Sequence, residues 1–427
     1  LLPNFKRGLH VNIFQTNGRS SRKNPFFTWS YSMSFGRLLA VVSILLNVAT
    51  GAAIDQNKPK LRARDLGVPF DGLPGRFNAI TDVAGVEVGH TTLRAGKPPL
   101  KVGVGPVRTG VTAILPRGKK NLDPVCAAWF SLNGNGEMTG TTWIEESGFL
   151  EGPVLLTNTL SVGTVRNAVI KWAMKRNPDS INLPVVAEIW DGAVNDIRGF
   201  HVKTVHVFRA LDGARGGKVQ EGNVGGGTGA TCYDFSGGIG TASRKTDESN
   251  PYTIGVLVQA NQGDRKDLLI AGVPAGKEIP GPQAHAQNKS SIIVVVATDA
   301  PLLPHQLKRL ARRASLGVGR TGTITNHFSG EIFLAFSTAN PGIAKPEKGK
   351  LGQLKMLPND AMDPLFAATV EATEEAIINA LVAASPMTGI DGTTYEALPH
   401  SRLKELLRKY NRLATPARNS RQKQGRR

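Results

Sequence analysis

Five consecutive β-branched residues, Ile292-Ile293-Val294-Val295-Val296, predict a strand buried on both faces. Residues 187–190, 253–259 and Ile332-Phe333-Leu334-Ala335-Phe336 read as further buried strands. After the first run, Asp299-Ala300-Pro301 breaks the chain. Leu303, Leu307, Leu310, Ala311 and Ala314 then recur at helical spacing, in a helix expected to stop at Gly317. The basic side chains Lys308, Arg309, Arg312 and Arg313 fall on its polar side, where a solvated face is expected. A second long helix is predicted from Asp363-Pro364, an N-cap with Pro at N1. It carries Phe366, Val370, Ile377 and Leu381 on one face and ends before Pro386. Strands and amphipathic helices mixed without an internal repeat indicate one large α/β or α+β domain.

Composition supports that picture. The chain has 427 residues, 40% of them hydrophobic, enough for a sizeable core. Its formal charge of +19 invites a nucleic-acid or membrane partner, but the charge is terminal. Residues 1–52 hold six basic side chains and no acid, and residues 401–427 hold ten against Glu405 alone. Only +4 remains for the rest, so no nucleic-acid partner is expected, and 401–427 reads as a solvated basic tail.

The front end has its own pattern. Arg37 precedes an apolar run from Leu38 to Leu46, followed by small residues through Ala53. Residues 33–53 therefore read as a signal peptide, with cleavage near residues 51–53 and a secreted or periplasmic product. A short uncleaved anchor is the alternative, with a cytoplasmic protein if the segment is no signal. Residues 1–32 are expected to be an untranslated or disordered extension. The apolar run is short of the roughly 20 residues that span a bilayer, so no stable membrane insertion is expected. Cys126 and Cys232 could form one bridge or remain two buried thiols. Asn288-Lys289-Ser290 is the one glycosylation sequon, in a polar loop.

Common catalytic patterns fail. There is no Gly-x-Ser-x-Gly elbow and no His-Glu-x-x-His, and His201 and His206 read as a strand and its end. Gly225-Gly226-Gly227-Thr228-Gly229 lacks the Gly-Lys-Ser/Thr ending of a phosphate loop. It and Gly238-Ile239-Gly240 read as tight backbone passages beside a cavity. One constellation holds. A polar loop runs through Ser290 and Ser291 straight into the strand at 292–296, and Ser329-Gly330-Glu331 opens the strand at 332–336. Alternation along an extended chain places Ser329 and Glu331 on one side, a hydroxyl and a carboxylate at a strand mouth.

Over residues 62–400 the sequence resembles the self-processing, DmpA-like aminopeptidases, which include D-aminopeptidases and β-peptidyl aminopeptidases. The resemblance rests on Arg64-Asp65-Leu66-Gly67, Asn78-Ala79-Ile80-Thr81-Asp82-Val83-Ala84-Gly85-Val86, and Asn133-Gly134-Asn135-Gly136-Glu137. Leu156-Thr157-Asn158-Thr159, Ser161-Val162-Gly163, Asn195-Asp196, the two glycine-rich stretches and Ala297-Thr298-Asp299-Ala300-Pro301 follow in order.

The resemblance implies an αββα sandwich of the Ntn-hydrolase type, shared with ornithine acetyltransferases. It also implies autocleavage between Ser290 and Ser291 into 54–290 and 291–427, with Ser291 the new N-terminal nucleophile. Ser290 stands where the family has Gly or Asn, which leaves it as a rival nucleophile. Ser329 and Glu331 match the family's second Ser and its acid, and Asn261 in Gln259-Ala260-Asn261 matches an oxyanion donor. Trp190 stands in place of an oxyanion Tyr, as an N–H donor or a cavity wall. Glu137 and Glu145 are candidates to meet a substrate amine. No metal or cofactor is implied, the substrates are short peptides, amides or esters, and the processed chains form a homo-oligomer. A related acyltransferase uses Thr as nucleophile, and a non-catalytic secreted homologue is the other alternative.

Overall fold

A computed structural model describes residues 60–179, 182–246, 251–281, 290–344 and 349–414. Two sheets carry the fold. The first has the order β1-β2-β5-β6, made of Glu87–Ala95, Val107–Leu115, Val154–Asn158 and Val185–Ile189. The second has the order β4-β3-β12-β11-β10-β9. Its strands are β3 (Val125–Gly134), β4 (Phe149–Leu150), β9 (Gly238–Lys245), β10 (Thr253–Asn261), β11 (Ser291–Thr298) and β12 (Gly330–Ser337), while β7 (Thr231–Cys232) and β8 (Phe235–Ser236) pair as a separate two-stranded sheet.

Three apolar layers hold these sheets between helices. Ile293, Val295, Ile332 and Leu334 of the larger sheet meet Ile114, Leu156 and Ala187 of the smaller one. On the outer face of the larger sheet, Ile292, Val294 and Phe333 pack under helices Pro304–Arg320 and Asp363–Ala383. On the outer face of the smaller sheet, Val111 and Leu155 pack under Val162–Met174 and Thr204–Asp212. The result is an αββα sandwich. Every residue of β11 is buried. Each Ile or Val there contributes about 1.5–3 kcal/mol of burial, which explains the uninterrupted β-branched run.

With Thr141–Ser147 as α1, the helices run Val162–Met174 (α2), Thr204–Asp212 (α3), Ala275–Glu278 (α4), Pro304–Arg320 (α5), Asp363–Ala383 (α6) and His400–Lys409 (α7). Several expectations need correcting. Helix α5 does not stop at Gly317. That residue lies inside the helix, where a Cβ would come within 2.7 Å of the Val370 carbonyl oxygen and 2.6 Å of Thr373 Cβ. The glycine is a contact point between α5 and α6, not a terminator. The basic stripe of α5 is also not simply solvated. Arg309 and Arg313 lie over the Phe366 ring and Arg312 over Phe130, at 3.6–5.6 Å. At the start of α6 the cap is Met362, one residue before the expected Asp363.

The segment from 401 onward is not all tail. Residues 400–409 form α7, which buries Leu403, Leu406 and Leu407 in the core. His201 lies in a loop, bonded through Nε2 to Asp196 at 2.9 Å, and His206 lies in α3. The turn Gly225–Gly227 is tight but buried in the core and does not line the cavity described below. A Cβ on Gly226 would lie 2.3 Å from Gln259 Oε1 and 2.5 Å from the Leu156 carbonyl oxygen. Cys126 and Cys232 are both buried free thiols. The expected signal segment 33–53, the extension 1–32, Asn288 and Lys289 of the sequon, and residues 415–427 lie outside the described residues. Among the described residues no helix is long and apolar enough to cross a membrane.

Candidate active site

The hydrogen-bond register of the larger sheet brings the candidate residues to one edge. Asn261 ends β10 directly opposite Ser291, which begins β11, and Ser291 is paired in parallel with Gly330 of β12. Three central strands thus present Asn261, Ser291 and Gly330 side by side. The Ser290–Ser291 peptide lies within this row. Ser291 Oγ donates to the Ser290 carbonyl oxygen at 2.6 Å, and the Gly330 N–H donates to the same oxygen at 3.1 Å. Two donors on one carbonyl draw electron density from its carbon, the atom a nucleophile would attack. Ser290 itself accepts the Gly263 N–H on its Oγ at 3.0 Å, so that hydroxyl is used to anchor the loop.

Asn261 is held at both ends of its amide. Its Oδ1 accepts the Thr231 N–H at 2.7 Å, and its Nδ2 donates to the Trp190 carbonyl at 3.1 Å. Trp190 follows β6, and its indole rests against Gly192, where a Cβ would come within 2.7 Å of the ring. Asn261, Trp190, Ser290 and Thr159 line one cavity of about 1320 Å³. That volume exceeds what a single amino acid needs and suits a short peptide.

Ser329 donates to Glu331 Oε1, the pairing that alternation along β12 predicts. Both residues are fully buried. Burial pushes the Glu331 carboxyl from an ordinary 4.5 to about 7, against the pull of hydrogen bonds from Ser329 and Asn133. Folding therefore favours the protonated form. Stability from this group is complete below pH 4.5 and falls by about 1.4 kcal/mol per pH unit until about pH 7. Glu331→Gln removes that loss. On an uncut chain, the urea midpoint of the variant should exceed its parent's at pH 8, and the gap should close near pH 4.5. A gap that is constant with pH would contradict the assignment.

The two amine-binding candidates are placed differently from each other. Glu145 in α1 turns outward, 53% exposed, and pairs with Lys308 at 2.6 Å. Glu137 is exposed just past β3, and neither residue lines the cavity. The Glu137 N–H, however, donates at 3.0 Å to Glu188, a carboxylate the sequence reading did not select. Glu188 lies in β6, 3% exposed, and its second oxygen accepts the Thr159 hydroxyl. Burial raises its pKa against those two bonds, and among the described residues no cation hydrogen-bonds to it. A signal was available: an acid inside Val185-Val186-Ala187-Glu188-Ile189 is costly to bury unless it has a task. Among the described residues no group of three or more His, Cys, Asp or Glu is placed to hold a metal ion.

Comparison with known proteins fits this geometry. Residues 78–395 match the model of Peptidase family S58. The chain belongs to that family. A beta-peptidyl aminopeptidase, BapA, of Sphingosinicella microcystinivorans is 53% identical over 370 residues, covering 83% of this chain and 93% of the relative. The BapA of Sphingosinicella xenopeptidilytica is 47% identical over 393 residues, covering 87% and 96%. Among solved structures, an L-aminopeptidase D-Ala-esterase/amidase from Ochrobactrum anthropi superposes with a TM-score of 0.79 at 48% identity. It covers 84% of this chain and 100% of its own, and is described as a prototype serine aminopeptidase and a variant of the Ntn hydrolase fold. This S58 chain is accordingly a hydrolase, a serine aminopeptidase of the Ntn-hydrolase fold.

Proposed function

We propose that this S58 chain cuts itself between Ser290 and Ser291 and then releases N-terminal β-amino acids from short peptides, amides or esters. The observation that carries the reading is the Ser290 carbonyl, held by Ser291 Oγ and the Gly330 N–H. Ser291 Oγ attacks the Ser290 carbonyl carbon and forms an O–C bond. The C–N bond to Ser291 breaks, and the hydroxyl proton passes to that nitrogen. Water then hydrolyses the ester, leaving a carboxylate on Ser290 and a free amine on Ser291. An α-amine titrates near 8, so it can take the proton from its own hydroxyl when a substrate arrives. Asn261 Nδ2 is the donor for the oxyanion of the tetrahedral intermediate. Glu188, a buried carboxylate behind the cavity-lining Thr159 with no cation among its described partners, suits the substrate's free ammonium. The β-amino acid preference follows the two BapA relatives, which match the chain over most of its length.

N-terminal sequencing of the purified protein tests the cut. Two fragments are expected, one starting at Ser291; export through a signal at residues 33–53 predicts that the other starts near Ile54. A full-length chain that hydrolyses β-alanyl amides would overturn self-processing as the source of activity. Rates on β-alanyl, L-alanyl and D-alanyl amides then rank the acyl group, and a ranking without β-alanyl first overturns that part.

A further inference from the structure

Just past Asn261 the chain turns through Gln262, Gly263 and Asp264 to Arg265, which lines the same cavity as Ser290. Arg265 is 7% exposed. Its guanidinium lies 3.8 Å over the Phe235 ring, and its Nη2 donates to the Asp234 carbonyl at 2.7 Å. Nothing else described accepts from it. Nε is withdrawn from solvent without an acceptor, and the group makes no ion pair among the described residues. The neighbouring Asp234 carboxylate is turned to the Arg265 backbone N–H at 3.2 Å.

A guanidinium has five N–H donors in a planar fork, and bracing the Tyr233–Asp234 turn uses one of them. The Asp234 charge offsets part of the guanidinium's, but keeping so much unused donor capacity at a cavity wall is costly unless an anion completes it. The fork matches a carboxylate, which accepts two parallel hydrogen bonds.

We propose that Arg265 is a carboxylate subsite that takes the C-terminal α-carboxylate of a di- or tripeptide, making free short peptides the preferred substrates over their amides. The proposal rests on the aminopeptidase reading above and specifies its substrate class. The reach is suitable. Gly263 holds Ser290 Oγ at 3.0 Å, and Arg265 is two residues further, at most about 7 Å of backbone. One or two residues beyond a scissile carbonyl span about the same distance. Glu188, the proposed ammonium partner, does not line the cavity itself but lies behind Thr159, which does, so the two ends of a zwitterion would meet opposite charges.

The test compares kcat/KM for β-alanyl-L-alanine and for its C-terminal amide, in the wild-type enzyme, Arg265→Met and Arg265→Lys. The wild type should favour the free acid. Arg265→Met should lower the acid-to-amide ratio roughly ten- to hundredfold, mainly through KM for the acid, and Arg265→Lys should restore part of it. An equal fall on acid and amide in both variants means a bracing role only and overturns the proposal. An unchanged ratio in Arg265→Met overturns it as well. If the wild type hydrolyses neither compound, the β-amino acid reading on which the proposal rests fails, a result distinct from the other two.

Discussion

A Ser291→Ala chain is expected to remain at full length and to lose at least about a thousandfold of its aminopeptidase activity. Both losses have one cause. In the proposed mechanism the Oγ that lies 2.6 Å from the Ser290 carbonyl oxygen would be the attacking atom in the cut and, afterwards, in every turnover. Removing it also keeps the α-amine in a peptide bond, so the general base is never made. The fold should survive, because Ser291 contributes a small side chain at the end of a strand whose other residues stay packed. Ser290→Ala is the informative comparison. Its hydroxyl accepts the Gly263 N–H, so this variant should still be cut and still be active. A denaturing gel and an amide assay read both variants. Cutting that persists in Ser291→Ala but stops in Ser290→Ala would move the nucleophile to Ser290.

The largest effect on stability is expected at Glu375. This fully buried carboxylate in α6 accepts Arg64 Nη2 at 2.8 Å, Arg64 Nε at 2.9 Å, Asn78 Nδ2 at 2.6 Å and Arg244 Nη2 at 2.8 Å. Burial opposes its charge. The Arg64 bonds, the Arg244 charge and Asn78 outweigh that and hold the carboxyl below its ordinary value. Glu375→Ala would strand the equally buried Arg244 guanidinium, leaving it Glu371 at 3.4 Å as its remaining carboxylate partner. Breaking a buried pair on one side costs about 3–5 kcal/mol. Urea unfolding of the uncut Ser291→Ala parent, with and without Glu375→Ala, measures the difference. A carboxyl with a depressed pKa contributes its stability at neutral pH and loses it as pH falls through its folded value, so the deficit should shrink in acid. A deficit below about 1 kcal/mol at pH 7 would show that Arg244 finds another partner.

The sequence showed features that depend on local periodicity. The run at 292–296 is β11, the run at 332–336 lies in β12, and the Ser329–Glu331 pairing follows from alternation within one strand. Features that depend on what lies across the fold were not legible. Gly317 has the appearance of a helix stop, and only the packing of α6 explains why the helix continues through it. Leu403, Leu406 and Leu407 are at helical spacing, but the surrounding basic residues hid a face that packs in the core. Glu188 and Arg265 are single charges whose meaning comes from having no oppositely charged ion-pair partner among the described residues, and a sequence does not record partners. The resemblance supplied the roles of Ser291 and Asn261; the β10–β11 register shows that the two residues face each other.

The order β3-β12-β11-β10 has a consequence for how the enzyme ages. Strands β11 and β12 follow the expected cut, while their outer neighbours β10 and β3 precede it. A severed chain would therefore keep its second piece inserted between two strands of the first. Assembly in one continuous polypeptide brings those strands together at high effective concentration; two separate pieces would have to find that slot by diffusion, with hydrophobic edges open to aggregation. Cutting would make folding irreversible in practice. The enzyme's lifetime would then be set by how slowly the sheet opens, a rate, and its uncut precursor would be the one form able to refold.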